Sequence, residues 1–210
     1  MKKDKLNILV TGCGGDIGQS IGKILNEFSI VNALYGCDIS TKNAAKFIYS
    51  NFIKGLPSND INYMYFLEKI VKEKKIDLII PASEPELRFF TDKNINNILG
   101  CKIISASLRA REIGFDKLNT AQFLKKEELP FPITFDVKDV NEIIKFPVIL
   151  KSRNGSGSSN INIIKDIDSF NFIKKQNPDF IVQEYLDDTN GEYTCGLFRS
   201  KNGVIRTIII

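Results

Sequence analysis

Hydrophobic and polar positions change their spacing several times along the chain, and each change predicts a different element. Short apolar runs that predict β-strands lie at residues 6–10, 33–37, 76–80 and 102–105. Between them, residues 17–25 and 62–74 carry apolar side chains at helical spacing. Parallel strands need crossover connections, which helices supply. The alternation therefore predicts an α/β fold with a Rossmann-like parallel-sheet domain over residues 1–113.

The pattern changes after Gly114. Helical spacing returns at 116–128, with Asp116 as the predicted N-terminal cap, and again at 167–175. Apolar runs that predict further strands lie at 147–151, 161–164, 180–186, 192–198 and 204–210. The first two flank a loop of small residues, and the last two flank Asn202 and Gly203, so each pair predicts an antiparallel hairpin.

The second part of the chain is therefore expected to be an α+β region. We divide it into a subdomain that carries the small-residue loop, 114–186, and the first strands of a further subdomain, 187–210. The run 204–210 reaches the last residue without a polar segment after it. Because an exposed strand edge invites aggregation, we expect the intact protein to continue beyond Ile210.

Composition and charge narrow the classes of partner. The chain has 210 residues, 43% of them hydrophobic, and a net charge of +4 spread over lysines that alternate with acidic residues. This dispersion is typical of solvated helix faces, so we expect no nucleic acid partner. No apolar stretch approaches the roughly 20 residues that span a bilayer, so we expect no membrane partner and a cytoplasmic protein.

The counts of cysteine and histidine restrict the chemistry. The four cysteines, Cys13, Cys37, Cys101 and Cys195, lie far apart in the sequence, which favours reduced, buried thiols over a disulfide framework or a metal cluster. The chain contains no histidine, so catalytic triads and zinc sites that need a histidine are excluded. Lysine, arginine, carboxylates and backbone amides remain to bind a substrate.

A glycine-rich turn follows the first predicted strand. Gly12, Gly15 and Gly18 have the spacing that lets a backbone approach a pyrophosphate, and Asp38 ends the next strand at the distance of a ribose ligand. This pattern supports an alternative function, an NAD(P)-binding oxidoreductase or epimerase of the extended short-chain type. Tight packing of strand against helix explains the same glycines without any ligand.

A longer series of motifs occupies the second part of the chain. In order, it comprises Asp116-Lys117, Leu129-Pro130-x-Pro132-x-Thr134, Phe146-Pro147-Val148-Ile149-Leu150-Lys151, a loop of glycine and serine, Gln183-Glu184-Tyr185-Leu186, and Gly191-Glu192-Tyr193. The series resembles the ATP-grasp superfamily, particularly the branch with the large chain of carbamoyl phosphate synthetase and biotin carboxylase. The resemblance implies a Rossmann-like pre-ATP-grasp domain followed by a partial ATP-grasp domain.

The resemblance also implies nucleotide-binding residues. Lys117 and Lys151 would neutralise the triphosphate from two separate elements. The loop residues Gly155, Ser156, Gly157, Ser158 and Ser159 would close over the phosphates as a lid. Glu184, Tyr185 and Leu186 would hold adenine, and Glu192 would accept from the ribose hydroxyls.

The implied reaction is ATP-dependent ligation of a carboxylate to an amine or related nucleophile through an acyl phosphate. ATP and Mg²⁺ are the implied cofactors, and an unidentified carboxylate is the implied substrate. The family places its magnesium ligands and catalytic residues after the part seen here, so we expect them beyond Ile210 and no metal ligand in this chain. This portion alone is then expected to be inactive. A homodimer and a non-catalytic binding module stay open as alternatives.

Overall fold

A computed structural model describes residues 5–140, 145–155, 161–189 and 191–210 of the chain. The chain divides into two compact units. The first contains the chain up to Phe123 together with Asn154 and Gly155, and the second contains most of the chain from Leu124 onward. The predicted domain boundaries after residues 113 and 186 stay predictions.

The first part of the chain is built around a parallel-dominated sheet. Its elements are β1 (Leu6–Thr11), α1 (Asp16–Leu25), β2 (Val31–Asp38), α2 (Ala45–Ile48), β3 (Asn51–Lys54), α3 (Tyr63–Lys74), β4 (Leu78–Pro81), α4 (Glu84–Asp92), β5 (Asn97–Ile98), β6 (Cys101–Ile103), α5 (Leu108–Gly114) and α6 (Lys117–Lys126). The strand order is β3-β2-β1-β4-β6-β5, and only β5 pairs with its neighbour in the antiparallel sense. The α/β prediction is thus confirmed.

Alternation along β1 feeds two hydrophobic cores. Leu9 packs on one face of the sheet in a cluster with Leu67 and Ile79, whereas Val10 joins Tyr49 in a cluster on the other face. Successive strand residues point to opposite faces, so a central strand that is covered on both sides must be apolar throughout. This requirement explains why β1 is recognisable from its sequence.

The sheet reverses its strand order between β1 and β4. In open α/β sheets, the turns that follow the strands at such a reversal form a crevice. Here, the two turns are the glycine turn after β1 and the segment from Ser83 to Glu86 after β4.

The second unit contains an antiparallel sheet. Its elements are β7 (Thr134–Asp136), β8 (Val148–Ser152), β9 (Ile161–Ile164), α7 (Ile167–Gln176), β10 (Phe180–Glu184), β11 (Cys195–Arg199) and β12 (Ile205–Ile209). The strand order is β7-β10-β8-β9, with every neighbouring pair antiparallel. Val148, Leu150 and Val182 pack with Phe170 of α7 on one face of this sheet. The predicted hairpin of β8 and β9 is confirmed.

The last two strands form a separate antiparallel pair, as the Asn202-Gly203 sequence predicts. Gly203 has a φ of +79°, a left-handed conformation that glycine adopts at no steric cost. The first of these strands was predicted from residue 192, but it begins only at Cys195. Within the described ranges, no helix has the length and apolar character needed to cross a membrane.

Candidate functional site

Lys151 lies on the face of the antiparallel sheet opposite to helix α7. Its ammonium Nζ donates to Oε1 of Gln183 at 2.7 Å. Nε2 of Gln183 in turn donates to Oγ1 of Thr134 at 2.8 Å, and the Thr134 hydroxyl donates to the carbonyl oxygen of Pro132 at 2.7 Å. The three side chains are all partly buried. A hydrogen-bonded row therefore crosses β8, β10 and β7 and ends on a lysine.

Glu184 lies on the other face of the same sheet. In β10, Phe180 and Val182 belong to the buried core, so strand alternation places Glu184 with them and opposite to Lys151. Oε1 of Glu184 accepts from the backbone N–H of Ile133 at 3.0 Å, and the Glu184 N–H donates to the Ile133 carbonyl at 2.9 Å. The structure thus places Lys151 next to Gln183, and it pairs Glu184 with Ile133, the residue that precedes β7.

Lys117 begins helix α6, and its ammonium donates to the Gly155 carbonyl oxygen at 2.8 Å. Oδ1 of Asp116 accepts from the N–H groups of Leu118 at 2.9 Å and Asn119 at 3.2 Å, which confirms the predicted N-terminal cap. Gly155 has a φ of +96°. The remaining predicted lid residues, Ser156, Gly157, Ser158 and Ser159, lie outside the described residues.

Arg88 supports the start of α6, a role that the sequence motifs did not indicate. Its Nη2 donates to the Phe115 carbonyl at 2.8 Å, and its guanidinium stacks on the Phe115 ring at 4.6 Å from the centroid. Nε of Arg88 also donates to Oε1 of Glu84 at 2.8 Å. The residue just before the Asp116 cap is therefore held from helix α4.

Three further predicted residues follow strand β10. Tyr185 is 37% exposed and Leu186 is 65% exposed, so both present apolar surface that a planar ring can cover. Glu192 is exposed and precedes β11 instead of lying within it. Burial therefore does not direct Glu192 toward a ligand, and its contact with the ribose hydroxyls stays a prediction.

The glycine turn after β1 uses its backbone N–H groups internally. Gly14 N–H donates to Oδ2 of Asp38 at 2.7 Å, Gly15 N–H donates to the Gly12 carbonyl at 3.4 Å, and Cys13 N–H donates to the Cys37 carbonyl at 3.1 Å. The predicted ribose ligand, Asp38, is thus occupied in closing the turn. A pyrophosphate needs such N–H groups to be directed outward.

Glu86 is a buried acid beside this turn. Its carboxylate accepts from the Tyr63 hydroxyl at 2.5 Å and from the Ser83 hydroxyl at 2.6 Å. Burial raises the pKa of Glu86, while the hydrogen bonds from the two hydroxyls oppose that shift. The three side chains join helix α3 to the segment that follows β4.

The raised pKa of Glu86 predicts a pH dependence of folding stability. In the unfolded chain the carboxyl ionises near pH 4.5, whereas in the folded chain it retains its proton to higher pH. Between pH 4.5 and the raised pKa of the folded state, the folded state binds more protons than the unfolded state. The free energy of unfolding therefore falls as the pH rises through this range. We expect Glu86→Gln, which cannot ionise, to remove this decline. Urea unfolding of the unaltered chain and of Glu86→Gln at pH 5 and pH 8 measures the change in the free energy of unfolding with pH. An equal change in the two proteins would contradict the prediction.

The cysteines follow the sequence prediction with one exception. Cys13, Cys37 and Cys101 are buried free thiols, and burial raises the pKa of Cys101 to about 11. Cys195 is also free but exposed, so its predicted burial is wrong. Among the described residues, no group of three or more cysteine, aspartate or glutamate side chains is arranged to hold a metal ion.

Comparison with known protein families finds a match in the second part of the chain. A family model described as the ATP-grasp domain matches residues 115–195. The resemblance to the ATP-grasp superfamily is confirmed. The matched ATP-grasp segment contains α6, the antiparallel sheet and the start of β11.

Solved ATP-grasp enzymes have the same fold. N5-carboxyaminoimidazole synthetase from Staphylococcus aureus, complexed with ADP, matches with a TM-score of 0.70 at 18% identity over 98% of this chain and 54% of that chain. The biotin carboxylase domain of 2-oxoglutarate carboxylase from Hydrogenobacter thermophilus, in complex with MgADP, ADP and bicarbonate, matches with a TM-score of 0.69 at 15% identity. That match covers 98% of this chain and 49% of the other. The chain therefore spans about half the length of these enzymes.

A relative in Mycoplasma pneumoniae is described as "Uncharacterized protein MG011 homolog". It is 27% identical over 136 residues, which cover 64% of this chain and 45% of that protein.

Proposed function

We propose that the chain is the ATP-binding portion of an ATP-dependent carboxylate–amine, or related, ligase. One observation carries the proposal: every predicted nucleotide-binding residue, from Lys117 to Glu192, lies inside the segment 115–195 that matches the ATP-grasp domain. The same segment contains the one lysine that a row of hydrogen bonds holds on a sheet face, Lys151, among the residues the structure describes.

The chemistry of this lysine suits a triphosphate. An ammonium group is a compact charge with three donors, and a triphosphate presents several anionic oxygens. Lys151 is partly buried, so water screens its charge less than it would on a free surface. The exposed Tyr185 and Leu186 offer apolar surface for the base at the end of β10.

The proposed reaction has two steps. A carboxylate oxygen attacks the γ-phosphorus of ATP, the bond to the β-phosphate oxygen breaks, and ADP leaves. The amine then attacks the carbonyl carbon of the acyl phosphate, inorganic phosphate leaves with the electrons of the carbon–oxygen bond, and the amine loses a proton to solvent. The N5-carboxyaminoimidazole synthetase and biotin carboxylase structures were solved with ADP, and the latter also with magnesium and bicarbonate, which supports a nucleotide and a small oxyanion as ligands of this fold.

Magnesium would supply charge neutralisation of the phosphates in such a reaction. The described residues offer no cluster of carboxylates for it, because Glu184 is tied to Ile133 and Asp136 is paired with Arg153 at 3.4 Å. We derive no step through the metal, and the expectation that its ligands lie beyond Ile210 stays a prediction.

The NAD(P)-dependent alternative has weaker support. Its ribose ligand would be Asp38, which instead accepts from the Gly14 N–H at 2.7 Å. A cofactor in this turn would have to break that bond and replace it.

Titration of the purified chain with ATP and, separately, with NADH tests the proposal. We expect saturable ATP binding by calorimetry and no enhancement of NADH fluorescence, because the turn after β1 is closed by its own hydrogen bonds. Binding of NADH in preference to ATP would reverse the assignment.

A further inference from the structure

We infer that Gln183 and Thr134 are positioning residues that direct the Lys151 ammonium toward the phosphates of the nucleotide. This inference rests on the proposed ATP site. It concerns two residues to which the resemblance assigns no role, although both lie in the motifs that carry it.

The direction of each hydrogen bond in the row follows from the chemistry of its members. A lysine ammonium has donors only, so the Gln183 atom that faces Nζ of Lys151 at 2.7 Å must be the carbonyl oxygen Oε1. The amide nitrogen of Gln183 then faces Oγ1 of Thr134 at 2.8 Å and needs an acceptor there.

Thr134 meets this need because its own proton is engaged elsewhere. The hydroxyl donates to the Pro132 carbonyl at 2.7 Å, so its oxygen lone pairs are directed to the amide of Gln183. If the amide turned over, its N–H₂ group would face the lysine ammonium, and two donors would oppose each other. Pro132 and Thr134 together therefore allow a single orientation of the Gln183 amide.

A fixed acceptor matters because a lysine side chain is otherwise free to rotate. Ordering such a side chain on binding costs conformational entropy. When Oε1 of Gln183 already holds the amine on the sheet face, the nucleotide loses less affinity to this ordering. The row is expected to strengthen contacts to phosphate and to leave contacts to the adenosine moiety unchanged.

Three variants of the full chain test the inference, with ATP and adenosine as the two ligands. Thr134→Val removes the hydroxyl at nearly constant volume, Thr134→Ser retains it, and Gln183→Leu removes the acceptor of Lys151. We expect Thr134→Val to weaken ATP binding by about three- to tenfold and Gln183→Leu by about tenfold. Thr134→Ser should bind ATP like the unaltered chain, and adenosine affinity should not change in any variant. Urea midpoints establish that each variant is folded.

The outcomes separate the inference from the proposed function. ATP binding that is unchanged in Thr134→Val and Gln183→Leu would overturn the positioning role and leave the nucleotide site intact. Equal losses for ATP and adenosine, without recovery in Thr134→Ser, would also overturn it, since they indicate a general disturbance of the sheet. If the unaltered chain binds neither ligand, the proposed function fails and the inference fails with it.

Discussion

Lys151→Ala is expected to weaken ATP binding by about thirtyfold or more, because removing one member of a partly buried, hydrogen-bonded charge pair leaves the phosphate charge without a partner. The side chain lies on β8, an inner strand of the sheet flanked by β9 and β10. Calorimetric titration of the variant with ATP measures the loss.

The control for Lys151 is Lys125→Ala. Lys125 is exposed in the last turn of helix α6, where it carries the same charge without any hydrogen-bonded support among the described residues. Its loss should change ATP affinity less than twofold at about 0.15 M salt, because solvent and ions screen an exposed charge. Equal losses in the two variants would show that ATP responds only to the net charge of the chain, and the assigned role of Lys151 would then be abandoned.

Gly18→Ala is expected to destabilise the folded chain by about 2 kcal/mol, within the range that overpacking costs. A Cβ atom at position 18 would lie 2.5 Å from Cα of Cys13 and 2.7 Å from the Gly12 carbonyl oxygen. Both atoms belong to the backbone of the glycine turn, so no side-chain rotation relieves the clash. Helix α1 would have to move away from the turn, and the bond from the Tyr49 hydroxyl to the Gly18 carbonyl would be strained with it.

Gly114→Ala provides the matched control for this substitution. Gly114 is also helical, at the end of α5, and a Cβ atom there would meet nothing within 4 Å. Alanine favours a helix over glycine by up to about 1 kcal/mol, so this variant should be as stable as the unaltered chain or more so. Urea denaturation of both variants measures the difference. A tolerated Gly18→Ala would mean that the glycine spacing does not serve packing and would restore a ligand role for the turn.

Several elements were recognisable from the sequence because a local rule determines them. The strand β1 is apolar at successive positions, as burial on two faces requires, and helix α6 begins beside a capping aspartate. The missed strands are β3, β5 and β7, and the missed helices are α2, α4 and α5. These strands have two to four residues, too few to display a period. Their existence depends on pairing with a neighbouring strand, which for β7 is the distant β10.

Some residues of the candidate site can also be recognised from the sequence, whereas others become apparent only in the structure. Lysines after an apolar strand and at a helix start are visible in the sequence, and so is the run of small residues between β8 and β9 that is predicted to act as a lid. The sequence did not single out Gln183, although the alternation of buried and polar residues in β10 places it on the same face as Lys151, with Glu184 on the opposite face. Only the register between β8 and β10, in which Ile181 pairs with Lys151, shows which acidic or amide side chain lies near the lysine.

The sequence by itself determined the order of the recognisable elements, the class of fold and the resemblance to ATP-grasp proteins, because periodicity, capping and motif order are properties of neighbouring residues. The tertiary structure decided which side chains meet: Lys151 with Gln183, Lys117 with Gly155, and Asp38 with Gly14. A hydrogen bond requires its two heavy atoms to lie about 3 Å apart. The partners in these pairs are separated by up to 38 residues along the chain, so the sequence does not show that they meet. Only the folded chain brings them to that distance.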